Sequence, residues 1–470
     1  MPSEQREALS LAITRRRFLA GMAGTAGAIA TAGAFRGPAA RVLGATGRLP
    51  SPASSGIEHI VVLCMENRSF DHMLGWVPDA DGAQQGLSYR HATTGATHAT
   101  HRLAPDWQGC ALQDPDHSYD GGRTQLNLGA CDGFLGSYVD AGKAKVQFDD
   151  LAIGYYTADD LPVSRALAGN FTICDRWFCS LLGPTYPNRI FTHAAATDRI
   201  SNTSATSTLP TIWDRLQAAG VSCGYYFSDL PLLALWGTKY VNVSNDIGTF
   251  LAQAAAGTLP QFSYIDPNFG GEGQGTSNDD HPHADVRRGQ ALISLLVNTL
   301  MHGPLWSKTV FVITYDEWGG FYDHVRPPRF PDATTHQPNT VDTVTGFEDH
   351  TQAGFRVPAY VVSPFAPRGN VSHRVLDHTA IPRFVEWRFG LQPLTVRDAA
   401  SANIAELLDF SAPNLTPPTV PTVIDPGPHV CGTPDLPAGS MGASMAAEDT
   451  FWHELAATPQ MAAFRARRNG

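Results

Sequence analysis

At 470 residues, with 43% hydrophobic and 16% charged side chains, the chain can bury a large core and has the composition of a globular protein rather than a disordered one. A net charge of -11, with no Lys/Arg-rich run beyond the N-terminal segment, argues against nucleic acid as a partner, because binding along a duplex needs clustered cations. An acidic protein can still act on phosphate when a metal supplies the local positive charge.

The first segment reads as an address and not as fold. Thr14-Arg15-Arg16-Arg17-Phe18-Leu19 precedes a charge-free, Ala/Gly-rich stretch from Ala20 to Phe35, with small-residue cleavage candidates at Ala28-Ile29-Ala30, Ala32-Gly33-Ala34 and Leu43-Gly44-Ala45. This pattern predicts a twin-arginine export signal over residues 1–45. The stretch is short of the ~20 apolar residues a membrane span needs. The expected partner is the export machinery, and the expected location is periplasmic, cell-wall-associated or secreted. Because this route carries folded proteins, a metal can be loaded before export. Residues 46–56 form a Pro/Ser/Gly linker.

From 57 to 470 the pattern predicts one catalytic domain in which strands and helices alternate. Strands are expected at Ile57 to Cys64, Phe171 to Cys174, Gly224 to Phe227, Phe262 to Ile265, Thr309 to Tyr315 and Ala359 to Val362. Helices are expected at Asp160 to Ala168, Thr211 to Ala219, His283 to Met301 and Thr379 to Phe389. The intervals 87–149 and 326–354 are polar, Gly/Pro/Asp-rich and without periodicity, so they are expected to be long loop insertions of the functional kind. A Pro-rich stretch runs from Ser411 to Gly439, and a last amphipathic helix is expected from Glu448 to Arg467. Seven cysteines include Cys110 and Cys131 in a Gly-rich region; these two are candidates for a disulfide, with buried free thiols as the alternative for the others.

Two carboxylate clusters follow apolar strands. Glu66-Asn67-Arg68-Ser69-Phe70-Asp71-His72 comes after the first strand, and Asp316-Glu317-Trp318-Gly319-Gly320-Phe321-Tyr322-Asp323-His324 follows Tyr315. Glu66, Asn67, Asp316 and Glu317 offer oxygen ligands from two strand ends, which suits a hard or borderline divalent cation. Between them lies Leu182-Gly183-Pro184-Thr185-Tyr186-Pro187-Asn188-Arg189, where Pro and Gly predict a tight turn that projects Thr185, Asn188 and Arg189 into a site. A threonine hydroxyl becomes a useful nucleophile once a metal or base activates it. Four Asp-His dipeptides, ending in His117, His281, His324 and His378, complete the chemistry-bearing residues.

These three blocks resemble the signature segments of the bacterial phosphoesterase family, which includes twin-arginine-exported phospholipases C and an acid phosphatase branch. Asp114-Pro115-Asp116-His117, Phe171-Thr172-Ile173-Cys174-Asp175, Gly354-Phe355-Arg356-Val357-Pro358 and Asp377-His378-Thr379 add to the likeness, in the same order, from about Ile57 to about Pro418. The resemblance implies an alkaline-phosphatase-like α/β fold, with a central, mostly parallel sheet flanked by helices on both faces. It implies a divalent metal (Zn, Ca, Mn or Fe) held by Glu66, Asn67, Thr185, Asp316 and Glu317, with Thr185 as nucleophile. His117, His281, His324 and His378 are expected around the phosphate and leaving group, and Asn188, Arg189, Trp318 and Tyr186 at the substrate. The implied activity is phospholipase C cleavage of phosphatidylcholine-type phosphodiesters through a phosphothreonine, with peripheral membrane contact to reach the phospholipid. The alternatives are an acid phosphatase acting on monoesters and a non-catalytic lipid- or metal-binding protein. Trp318 departs from the histidine common in phospholipase C relatives, and Asp280-His281-Pro282 from Glu-His-Pro. A choline headgroup would want an aromatic cage, for which Trp107, Trp177, Tyr186, Trp318 and Tyr322 are candidates.

Overall fold

Eight strands form the central sheet: β1 (His59–Met65), β2 (Thr172–Cys174), β3 (Cys223–Phe227), β4 (Ser244–Asp246), β5 (Phe262–Asp266), β6 (Thr309–Tyr315), β7 (Ala359–Val362) and β8 (Asn370–Ser372). Their order is β4-β3-β5-β1-β6-β7-β2-β8. Neighbours run parallel except β7, which is antiparallel to both β6 and β2. Every residue of β1 and β6 is buried, as expected of central strands covered on both faces, and both are rich in Val and Ile. This is the mostly parallel α/β architecture expected from the sequence. The computed structural model describes residues 49–92, 94–110, 114–136, 138–140, 143–145, 150–332, 348–431 and 451–468. The predicted export signal and part of the second long insertion lie outside the described residues.

The principal helices are α1 (Phe70–Leu74), α2 (Tyr119–Leu126), α3 (Pro162–Asn170), α4 (Thr185–Ala194), α5 (Ile212–Ala218), α6 (Ile247–Ala256), α7 (Val286–Met301), α8 (Ala380–Phe389) and α9 (Val396–Ala400). Their starts follow local chemistry. Asp246 and Asp285 accept backbone N–H bonds at the first turns of α6 and α7, and Thr211 with Asp214 forms a capping box on α5. Among the described residues no helix is long and apolar enough to cross a membrane.

The register of β1 on β6 positions the site. His59 lies opposite Thr309 and Met65 opposite Tyr315, so Glu66 and Asp316 leave the sheet side by side. On the other flank Leu63 lies opposite Ile265, which brings Asp266 to the same edge. Carboxyl ends of adjacent parallel strands are where open α/β sheets place ligands.

Four expectations need correction. The Leu182–Arg189 segment is no isolated turn, because Thr185 opens α4 and Pro187 sits in its first turn. Proline is tolerated there, since the first N–H groups of a helix have no intrahelical acceptor. The first long insertion contains α2. The terminal helix is broken: residues 451–457 are helical, Pro459 interrupts, and a second helix spans Met461–Arg468. Cys110 pairs with Cys431, 321 residues away, and Cys131 is a buried free thiol.

Candidate active site

Asn67 adopts a left-handed backbone (φ 57°) at the end of β1, a conformation Asn accepts better than most residues. Its N–H donates to Asp316 Oδ1 (3.1 Å), while Arg68 N–H donates to the Glu317 carbonyl (3.1 Å). Glu317 N–H also donates to Asp316 Oδ1 (2.7 Å), and Gly319 N–H to Glu317 Oε2 (2.7 Å). The two carboxylate segments are therefore stitched together by backbone groups. Gly319 (φ +62°) makes this approach feasible, since a Cβ there would lie 2.1 Å from the Asn67 carbonyl oxygen.

Thr185 and Arg189 lie one turn apart on α4 and so share a face. Arg189 points under the strand ends. Its Nε donates to Asp316 Oδ2 (3.0 Å), Nη1 to Asp266 Oδ1 (3.1 Å), and Nη2 to the Cys64 and Met65 carbonyls (3.1 and 2.9 Å). Glu66 Oε1 is 3.4 Å from its Nε. Asn188 ties the preceding loop, accepting from Leu181 N–H and donating to the carbonyls of Leu181, Gly183 and Pro184. Tyr186 donates its hydroxyl to the Phe451 carbonyl (3.0 Å), and Trp318 its indole N–H to Gln125 Oε1 (2.7 Å). Thus all four residues expected at the substrate are buried, with polar atoms bound inside the protein. Of the five aromatic cage candidates, Trp177, Tyr186, Trp318 and Tyr322 are fully buried. Trp107 is half-buried, with Tyr156 stacked at 5.7 Å and Arg287 5.4 Å from its ring.

The remaining oxygens fit a cation. Glu66 Oε1 and Oε2, Asn67 Oδ1, Thr185 Oγ1 and Glu317 Oε1 are buried and make no hydrogen bond. Buried polar atoms normally have a partner, so five unmet acceptors from four residues are a strong sign of one not yet counted. Burial first, and then repulsion by Asp316, raises the Glu66 and Glu317 carboxyls well above the usual carboxylate range. Burial also raises Asp316, against the pull of Arg189. Asp316 differs from the others in having both oxygens hydrogen-bonded. An all-oxygen set of two or three carboxylates, an amide and a hydroxyl suits a hard divalent cation.

Two of the four predicted histidines meet beside this set. His117 Nε2 lies 4.0 Å from Glu317 Oε1 and 3.5 Å from Asn67 Nδ2, and its ring packs edge-on against His281 at 5.7 Å. His281 Nδ1 is 2.8 Å from Glu272 Oε1, and its buried Nε2 makes no hydrogen bond. Burial pulls the His281 pKa down, but Glu272, Asp114 and Glu66 outweigh it and raise it well above the usual value. His117, His281 and Asp114 also form a buried group with the spacing of candidate metal ligands. His378 stands behind the site, with Nε2 2.5 Å from the Asp316 carbonyl and Nδ1 accepting from Trp177. Burial lowers its pKa to about 4, so it is neutral at pH 7.

His324 belongs to a separate network. Its Nδ1 lies 2.5 Å from Asp71 Oδ2 and its Nε2 3.1 Å from Asp81 Oδ1, while Arg356 joins Asp71 to Asp323. Burial lowers the His324 pKa, but Asp71 more than reverses this and brings it to about 9. Its contribution to stability is full below the unfolded histidine pKa of ~6.5 and is lost as pH rises through about 9. His324→Gln should therefore cost about 1–2 kcal/mol near pH 6, allowing for solvent screening of a partly exposed group. Urea midpoints should show the gap closing between pH 7 and 10. A gap that widens with pH would contradict the network.

Three carboxylates at the site escape the motif reading. Asp266 ends β5 at the same sheet edge as Glu66 and Asp316, a position visible from the strand pattern. Asp279, whose carbonyl accepts from Glu66 N–H, sits beside His281. Glu272, in a Gly-rich loop, carries no local signal of its role.

The model of the Phosphoesterase family matches residues 57–392, and the chain belongs to that family. It is a phosphoric ester hydrolase. Phospholipase C B of Mycobacterium tuberculosis is 32% identical over 477 aligned residues, covering 85% of this chain and 86% of the relative. Non-specific phospholipase C6 of Arabidopsis thaliana is 30% identical, covering 78% of this chain and 76% of the relative. Among solved structures, the phosphonate monoester hydrolase of Agrobacterium radiobacter aligns over 76% of this chain and 78% of its own, with 9% identity and a TM-score of 0.38. Family membership and the candidate ligand groups together point to a divalent metal.

Proposed function

We propose that this chain is an exported, metal-dependent phospholipase C that hydrolyses phosphatidylcholine-type phosphodiesters to diacylglycerol and a phosphorylated headgroup. The carrying observation is the set of buried, hydrogen-bond-free oxygens on Glu66, Asn67, Thr185 and Glu317. The names of the relatives support the diester choice. Export rests on Arg15-Arg16-Arg17 and the Ala/Gly stretch after it, and contact with a membrane surface follows from a lipid substrate.

Glu66, Asn67, Thr185, Asp316 and Glu317 would hold the cation. When bound, it would supply Lewis-acid stabilisation of phosphoryl oxygens and a lowered hydroxyl pKa. Thr185 Oγ lies at the first turn of α4, where the helix dipole favours negative charge. In the first step Thr185 gives its hydroxyl proton to solvent, the Oγ–P bond forms and the P–O bond to diacylglycerol breaks. His281, kept cationic by its carboxylate neighbours and held by Glu272, gives a proton to the departing alkoxide, with His117 beside it on the phosphoryl group. Water then attacks the phosphothreonine while His281, neutral after the first step, takes a water proton; the Thr185 Oγ–P bond breaks, the phosphorylated headgroup leaves, and the threonine oxygen regains a proton from solvent. Arg189 keeps the carboxylates in place from below.

The test is turnover on phosphatidylcholine, sphingomyelin and p-nitrophenyl phosphate, each with and without chelator. Diester hydrolysis abolished by chelator is the expected result. Faster turnover of the monoester would favour the acid phosphatase reading, and none on any substrate with cation bound would favour a binding protein.

A further inference from the structure

The family match ends at residue 392, yet residues beyond it touch both loops that carry the site histidines. Cys431 is bonded to Cys110, seven residues before His117. Gln108, in the same loop, donates from Nε2 to the carbonyls of both His429 (3.0 Å) and His283 (3.1 Å), and its Oε1 lies 2.5 Å from His429 Nδ1. It thereby joins the His117 loop, the His281 loop and the C-terminal segment at one side chain. The backbone of His429 also lies on Gly275: a Cβ there would come within 2.2 Å of the His429 carbonyl oxygen. Gly275 closes the short turn that begins at Glu272, the carboxylate held by His281 Nδ1. The segment is anchored along α7 as well, through Ser294 to the Pro421 carbonyl (2.7 Å) and Arg288 to Asp425 (2.9 Å).

We propose that residues 420–431 are a positioning strap for the proton-donating histidines, with Gln108 and the Cys110–Cys431 bond as its clasp. The strap holds the His117 ring against His281 and fixes Glu272, and so sets the direction of His281 Nε2. These residues act through the histidines and do not touch substrate. The inference rests on the proposed role of His281 as acid, and it has a signature that stability alone does not produce. A leaving group such as p-nitrophenolate departs without protonation, whereas the alkoxide of diacylglycerol needs it.

Gln108→Leu, which keeps the disulfide, and the double variant Cys110→Ser/Cys431→Ser are assayed on phosphatidylcholine and on p-nitrophenyl phosphorylcholine, per mole of folded enzyme. Since general acid catalysis contributes about 10²–10⁴-fold, misdirecting the acid should lower kcat on the lipid by about 10–100-fold and on the activated ester by less than about 3-fold. Equal effects on both substrates, or a lowered melting temperature with unchanged kcat on both, would overturn the strap. His281→Gln serves as the control: if it also affects both substrates equally, the failure lies in the assignment of the acid.

Discussion

Thr185→Ala should lower turnover by at least about 10³-fold on every phosphoester substrate, with fold and bound cation retained. Thr185 Oγ1 makes no hydrogen bond to the protein, so truncation leaves no partner unsatisfied, and α4 starts on Pro184 and not on the threonine side chain. Glu66, Asn67, Asp316 and Glu317 remain to hold the ion. Circular dichroism, metal content and turnover measured on one preparation check all three. Thr185→Ser, which keeps the hydroxyl, should retain substantial activity. Near-wild-type turnover in the alanine variant would remove Thr185 from the chemistry.

Much of the scaffold is legible in the sequence because burial on both faces of a parallel sheet leaves long β-branched runs. Thr309–Tyr315 and Ala359–Val362 are strands with the expected bounds. What hides the remainder is local chemistry that means two things at once. Pro184 and Pro187 look like turn residues, yet they also suit the first turn of a helix. Gly121 and Gly122 look like loop, yet they sit inside α2. There a Cβ at Gly121 would lie 2.4 Å from the Asp116 carboxyl, and one at Gly122 would lie 2.8 Å from Leu182 and 2.9 Å from Trp318. The glycines are the price of packing that helix onto the wall of the site.

For the site itself, the sequence shows which side chains carry oxygen and nitrogen, but not where they point. Thr185 and Asn67 keep open oxygens, while Asn188 and Arg189, three and four residues past Thr185, turn inward. The helical period places Thr185, Asn188 and Arg189 on one side of α4, so what separates them is side-chain length and the partners that only the folded chain brings within reach. The Asp-His dipeptides fail as a guide for the same reason. His324 meets Asp71 and Asp81 rather than Asp323, and His378 meets a backbone carbonyl. The Cys110–Cys431 pairing joins segments 321 residues apart, and no local pattern encodes it.

Arg189 gives the sharpest contrast between the sequence expectation and the structure. A substrate-binding arginine, once replaced, leaves a stable protein with a raised KM. Arg189 is instead wholly buried, with Asp316, Asp266 and Glu66 within 3.0, 3.1 and 3.4 Å. Arg189→Met preserves volume but leaves these carboxylates without their cation and takes one donor from each of the Cys64 and Met65 carbonyls. Removing one partner of a buried ion pair costs about 3–5 kcal/mol, a large share of the ~5–15 kcal/mol that a folded domain has. Arg189→Lys should recover little, because a single ammonium cannot reach carboxylates and carbonyls that now occupy three guanidinium nitrogens. Added divalent cation should restore part of the loss, by about 2.7 kcal/mol at 100 times its Kd, since it neutralises the same cluster from above. Urea unfolding with and without cation measures both effects. A variant as stable as wild type, with only KM changed, would return Arg189 to the substrate.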